Sequence, residues 1–263
     1  MNNLEHELGC RLFQRTHKGV TLTPEGEKLF AHVRIAQEHL QAGEAQILEA
    51  RNLESGTIMI GASEIALHGL LLPVLRSFHH TYPGIHIQVT NHSTPQAISA
   101  VRQGLVELAV ITTPAELPKP LKGYSLKGFQ DILIAGAGFT ELTEKALTFS
   151  DMISYPFIGL GRETATHSFY DRLFEKHNLL LQPDIEVATA DQILPMVKYD
   201  LGLGFLPEFL AADALEKGDI IQLTTAEPIP VRSICLVRDT SRPLSAAAQV
   251  LERMIKAHAI SHL

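Results

Sequence analysis

The chain contains no tryptophan, and its two cysteines, Cys10 and Cys235, belong to no CxxC pair. That pattern excludes a disulfide-stapled scaffold and a thiolate zinc cluster, and both cysteines read as reduced, buried thiols. No apolar run approaches the roughly 20 residues a membrane helix needs, and no basic segment followed by an apolar core opens the chain, so the expected compartment is the cytoplasm. There are 13 histidines, but His79-His80, His86 and His92 show no HExxH or other tight ligand spacing, and no metal or cofactor is expected. Three GxG pairs occur, Gly136-Ala137-Gly138, Gly159-Leu160-Gly161 and Gly202-Leu203-Gly204. None continues as GxGxxG, because Glu141, Thr164 and Pro207 stand where the third glycine belongs, so no dinucleotide site is predicted. A GxSxG elbow is absent too, as is any motif joining a cysteine to a histidine and an acid, and nothing supports an enzyme.

Charge narrows the reading further. A formal net charge of −7 opposes nucleic-acid binding over the whole surface, so any DNA contact belongs to a local basic patch in the first few dozen residues. The 263 residues exceed a common single domain, and one small module plus a larger two-lobed body is the natural division. Leu12-Phe13-Gln14-Arg15-Thr16 and Val20-Thr21-Leu22 are short β-rich segments around a His17-Lys18-Gly19 turn, which reads as a hairpin. Between Leu8 and Pro24 the only charges are Arg11, Arg15 and Lys18, so the hairpin is a cationic finger carrying hydroxyl donors, suited to a phosphate backbone. A solvated basic turn is the plain alternative. The segment before it, with Leu4 and Leu8 on one face and Gly9 as a stop, predicts the end of a helix. Thr23-Pro24 predicts the start of the next.

Taken together these residues, written xxLExELGxRLFxRTxxGVxLTxxGExL, resemble the LysR-type transcriptional regulators. The resemblance implies that residues 1–23 are the end of a recognition helix and the wing of a winged helix-turn-helix. It implies DNA contacts from Asn2, Asn3, Arg11, Arg15, Thr16, His17, Lys18, Thr21 and Thr23. The family carries two further helices before the recognition helix, so the chain is expected to be N-terminally truncated and to bind DNA weakly. The alternative is a cytoplasmic small-molecule-binding protein that pairs with other chains without touching DNA; translating the DNA upstream of Met1 separates the two.

Residues 24–54 predict one long helix of about 45 Å at 1.5 Å per residue, with Leu29, Val33, Ala36, Leu40, Gly43, Ile47 and Ala50 spaced as a heptad seam. A thin helix has no core of its own, so a homodimer or homotetramer through this stalk is expected, against packing onto the chain's own body. From residue 57 strands alternate with helices: Thr57–Gly61, Ile65–Tyr82, Ile85–Asn91, Pro95–Gly104 and Glu107–Thr112. The rhythm repeats from Ile132–Ala135 to Glu208–Leu215, predicting parallel, doubly wound α/β sheets in two lobes. The resemblance implies the type II periplasmic-binding-protein architecture. Lobe I would hold 57–128 and 234–263, lobe II 129–233, with crossings near Lys127–Gln130 and Val231–Ser233.

Ligands of open α/β sheets lie beyond the carboxyl ends of the strands, at helix N-termini. The loops there are rich in hydroxyls that could equally be plain helix caps. Their recurrence points to a site formed by Ser63, Glu64, His92, Ser93, Thr94, Thr112, Arg162, Thr164, Thr166, Thr189 and Phe205. The resemblance implies a small-molecule effector there, a carboxylate or amino acid. Arg162 is the cation expected to pair with it, and Glu64 the group expected to disfavour a highly charged anion or to meet an amine.

Overall fold

The computed structural model describes residues 2–16, 19–30, 32, 33, 36, 37, 53 and 55–261. They fall into two units, Met1–Asn52 and Leu53–Leu263.

In the first unit the helix Asn2–Leu8 stops at Gly9, whose φ of +66° is the left-handed conformation that favours glycine. The Glu5 carboxylate then accepts the N–H groups of Leu12 at 2.7 Å and Phe13 at 3.1 Å, which fixes the turn into the hairpin. Strands β1 (Phe13–Thr16) and β2 (Gly19–Leu22) pair antiparallel, with Phe13 opposite Leu22 and Thr16 opposite Gly19. Thr23 caps the following helix: its Oγ1 accepts the Gly26 N–H at 3.0 Å and donates to the Arg11 carbonyl at 2.7 Å. Gly26 is buried, and a Cβ there would lie only 2.1 Å from the Leu12 carbonyl oxygen, so the helix closes on the hairpin only through glycine. Residues 24–30, 32, 33, 36 and 37 are helical. The seam positions Leu40, Gly43, Ile47 and Ala50 lie outside the described residues.

The second unit contains two five-stranded sheets. Strands β3 (Gly56–Ala62), β4 (Ile85–Asn91), β5 (Leu108–Thr112) and β6 (Leu121–Phe129) build the first. The chain then crosses through Gln130 into β7 (Asp131–Ala135), β8 (Phe157–Leu160), β9 (Ile185–Val187), β10 (Leu203–Pro207) and β11 (Ile221–Leu223), which build the second. Strand β12 (Arg232–Asp239) returns to the first sheet, and the helix Ala246–Ser261 follows. The strand orders are β4-β3-β5-β12-β6 and β11-β7-β10-β8-β9.

Neither sheet is wholly parallel, as the helix–strand rhythm suggests it should be. β3 runs parallel to β4 and β5, but β12 is antiparallel to both β5 and β6. In the second sheet β7 is antiparallel to β10 and β11. The exceptions include the strands that begin or end at the crossings, where the chain leaves one sheet and comes back from the other.

Central strands are covered on both faces, which explains why they read as continuous apolar runs. Leu108 and Val110 of β5 join a core with Ile58, Ile60, Leu71, Phe78, Leu251 and Ile255, while Ala109 and Ile111 point to the opposite face with Ala97, Val101 and Val237. Strand β7 alternates likewise: Ile132 and Ile134 face one core, Leu133 and Ala135 another containing Phe149, Phe174 and Phe205. Among the described residues no helix is long and apolar enough to cross a membrane.

Candidate functional site: a hydroxyl-lined cleft over a buried arginine

The carboxyl ends of β3, β5 and β8 open onto one cleft. It is lined by Ser63, Glu64, His92, Ser93, Thr94, Thr112, Thr164, Thr166 and Thr189, together with Ile65, Asn91, Leu160, Ala165, Ala188 and Ala190. Counting space open to solvent, it holds about 400 Å³. Two longer helices, Thr94–Gln103 and Ala165–Glu175, begin at its wall and turn the positive ends of their dipoles towards it.

The hydroxyls divide by what they already do. Thr164 Oγ1 accepts the His167 N–H at 3.1 Å and donates to the Gly161 carbonyl at 2.9 Å, so both of its roles are filled within its own lobe. Thr94 donates to the Thr112 carbonyl at 3.3 Å, joining a helix start to a strand end. Ser63 Oγ accepts the Ala66 N–H at 3.3 Å as a cap. Ser93 and Gln96 likewise form a reciprocal cap at the start of the helix Thr94–Gln103, in which the Ser93 N–H donates to Gln96 Oε1 at 2.9 Å. Glu64 is engaged as well: its Oε2 accepts from Asn91 Nδ2 at 3.1 Å, and its Oε1 sits 2.8 Å from His68 Nε2. Its charge is therefore partly offset by neighbours rather than aimed unopposed into the cleft.

Two of the residues assigned to the site from sequence lie elsewhere. Arg162 lines a separate depression with His167, Asp171, Gln182 and Glu186, because the turn after β8 points its side chain outward. Phe205 packs inside the second lobe, its ring stacked on Tyr170 with centroids 4.4 Å apart and an interplanar angle of 7°. The role given to Thr23 changes too, since capping and the bond to Arg11 already use its hydroxyl. Arg11 and Thr21 are exposed. The side chains of Asn2, Asn3, Arg15 and Thr16, and all of His17 and Lys18, lie outside the described residues.

What sequence reasoning misses is the group beneath the cleft. Arg232, the first residue of β12, is 1% exposed and ion-paired with Asp131, the first residue of β7, also 1% exposed, at 3.0 Å. Its Nε donates to the Thr113 carbonyl at 2.9 Å, and its Nη2 donates to Thr112 Oγ1 at 3.2 Å and Thr166 Oγ1 at 2.8 Å. Phe129 and Phe169 flank the guanidinium, with ring centroids 5.2 and 5.1 Å from its carbon. Tyr170 donates to the same Asp131 oxygen at 2.8 Å. Burial first, and then the Asp131 carboxylate, hold the Tyr170 phenol well above its ordinary range, so it stays a proton donor. The network joins the first residues of both crossing strands, and its partners come from both sheets. Among the described residues no group of three or more His, Cys, Asp or Glu could hold a metal ion.

Comparison with known proteins agrees with this geometry. Residues 51–260 match the family described as the LysR substrate binding domain, and residues 1–27 match the bacterial regulatory helix-turn-helix protein, lysR family. A probable RuBisCO transcriptional regulator of Gracilaria tenuistipitata var. liui is 27% identical over 267 residues, spanning 97% of this chain and 84% of the relative. A probable HTH-type transcriptional regulator LtrA of Klebsiella pneumoniae is 26% identical over 228 residues, 85% of this chain and 71% of the relative. Among solved structures, a Corynebacterium glutamicum OxyR C206 mutant superimposes with a TM-score of 0.76 at 17% identity, covering 100% of this chain and 83% of that one. The effector binding domain of QuiR in complex with shikimate does so at 0.69 and 16% identity, covering 80% and 99%. The two structures share the fold. With wing and two-sheet body both matched by family models, the chain belongs to the LysR family of transcription regulators and carries that family's effector-binding domain.

Proposed function

We propose that the cleft of this regulator senses a small carboxylate or amino acid, and that the effector is read by both lobes at once. The observation that carries this reading is the convergence of hydroxyls and two helix N-termini from both sheets on one cleft. A carboxylate there would meet donors and a favourable dipole end, while Glu64, on the same cleft and with lone pairs left beside its contacts to Asn91 and His68, would take the ammonium of an amino acid. An effector that touches both lobes binds most tightly the arrangement in which both reach it, and so shifts the population towards that arrangement. The wing would contribute phosphate contacts through Arg11, Arg15 and Lys18, and the helix of residues 24–54 would pair two chains. Val33 and Phe30, 48% and 54% exposed in the single chain, are apolar groups that such pairing would cover.

The test is a thermal-shift screen of carboxylates and amino acids against the 263-residue chain. An effector at 100 times its dissociation constant stabilises the fold by about 2.7 kcal/mol, and at least one compound should raise the melting temperature saturably. No shift from any member, with neutral sugars and nucleosides active instead, contradicts the reading.

A further inference from the structure

Thr112 and Thr166 stand on opposite lobes, at the end of β5 and in the helix Ala165–Glu175, and both line the cleft. Each hydroxyl oxygen accepts one hydrogen bond from the same nitrogen, Arg232 Nη2, at 3.2 and 2.8 Å. A threonine hydroxyl has one proton to donate and accepts through its lone pairs. Among the described residues nothing accepts the proton of either hydroxyl. A guanidinium bonded to the oxygen draws electron density from the O–H bond and strengthens that O–H as a donor, the mutual polarisation of hydrogen-bonded chains. Both remaining protons are therefore free to turn towards a single acceptor in the cleft, one from each side.

We infer that Arg232 is the positioning residue for an anionic effector: it never touches the ligand, but its Nη2 holds the oxygens of Thr112 and Thr166, whose hydroxyl protons bridge the two lobes across one carboxylate. This rests on the proposed reading of the cleft and goes further by naming the group that aims two donors at an anion, in place of the direct ion pair expected of Arg162. The geometry carries two consequences. First, the cation stays sheathed by Phe129, Phe169 and the Asp131 carboxylate, so selectivity comes from oriented hydroxyls and not from a flexible charged side chain. Second, the Nη2 bonds are shared between lobes, so any opening that separates Thr112 from Thr166 takes at least one hydroxyl off the arginine and weakens the anion's hold. Affinity and lobe arrangement are thereby coupled through one nitrogen.

The experiment titrates the whole 263-residue chain, labelled at the threonine methyl groups, with acetate and with its neutral counterpart acetamide, following the methyl resonances by NMR. Acetate should shift Thr112 and Thr166 together and saturably, and acetamide should bind at least tenfold more weakly. Thr112→Val and Thr166→Val should each lower acetate affinity by about tenfold to a hundredfold, the range for a hydrogen bond to a charged group, with little change for acetamide. Thr112→Ser and Thr166→Ser should restore it, which a merely structural role for the side chain does not predict. The paired substitution Arg232→Gln with Asp131→Asn removes both buried charges at once and should abolish the preference for acetate. If acetate binds the wild type but the valine variants match it, or the paired variant keeps the preference, the inference fails while the cleft reading stands. If no anion perturbs the cleft at any concentration, both fall. Should the paired variant not fold, the valine and serine series decides alone.

Discussion

Arg232 and Asp131 are a fully buried pair lying 101 residues apart in sequence. Removing one partner strands the other charge, so Arg232→Ala is expected to cost about 3–5 kcal/mol, read from urea unfolding. A loss below about 1 kcal/mol would show that the pair is not buried as described. Neither residue announces itself in the sequence. Asp131 is a single charge ahead of the apolar run Ile132–Ala135, Arg232 is one of three charges in β12, and only the meeting of two crossing strands makes them neighbours. The cleft hydroxyls were legible for the opposite reason, because each stands where a strand ends and a helix begins. Gly26 is a second residue with a definite prediction. A methyl group there meets the Leu12 carbonyl at 2.1 Å, so Gly26→Ala should push the helix off the hairpin and speed amide exchange across β1 and β2, while Glu25→Ala, exposed one residue earlier, should leave it unchanged.

Elements were readable where period and punctuation agreed. Strands β3, β4 and β5 are legible to within a residue or two, since β3 and β5 are largely apolar runs and β4 alternates apolar with polar residues, each closed by polar loop residues. Strand β6 carries no such signal. Its pairing with β12 shifts register between Ile234 and Cys235, opposite Lys127 and Ser125, so Leu126 is bypassed and the inward positions, Leu121, Leu126 and Phe129, lose the spacing of two. Strand β11, Ile221–Leu223, is too short to show a period. The helix Phe149–Met152 is held by a reciprocal cap: Thr148 Oγ1 accepts the Asp151 N–H at 3.1 Å, and the Asp151 carboxylate accepts the Thr148 N–H at 2.9 Å. The Thr148 backbone N–H, and then its hydroxyl, hold the Asp151 carboxyl below its ordinary value of 3.8. A carboxylate depressed in the folded state contributes stability that is complete above the unfolded value and is lost as pH falls through the folded one. Asp239 is lowered in the same direction by Ser241. Their contributions to stability should therefore fade below about pH 4, and Thr148→Ala should lower stability by about 1 kcal/mol at neutral pH. That difference should shrink as the pH is taken below the folded Asp151 value. A constant difference down to pH 2 would contradict the assignment.

At the scale of the whole molecule, two sheets are joined by two adjacent crossings, where Phe129 pairs with Arg232. The alternation of strand and helix was enough to foresee two lobes, but not the antiparallel strands that link them, because reversal of direction leaves no mark on a buried strand's composition. The stalk makes its own prediction. If residues 24–54 pair two chains, Val33→Glu places a charge on that seam and should raise the dimer dissociation constant at least tenfold in sedimentation equilibrium, whereas a variant that sediments as the parent does would assign dimerisation to another surface. The central claim is that one effector is held by both lobes together. Hydrogen exchange on the intact chain, with and without the carboxylate or amino acid that most raises its melting temperature, tests this most directly. Binding across both lobes should protect simultaneously the amides at the starts of the helices Thr94–Gln103 and Ala165–Glu175; protection confined to one lobe, or appearing only away from the cleft, would contradict it.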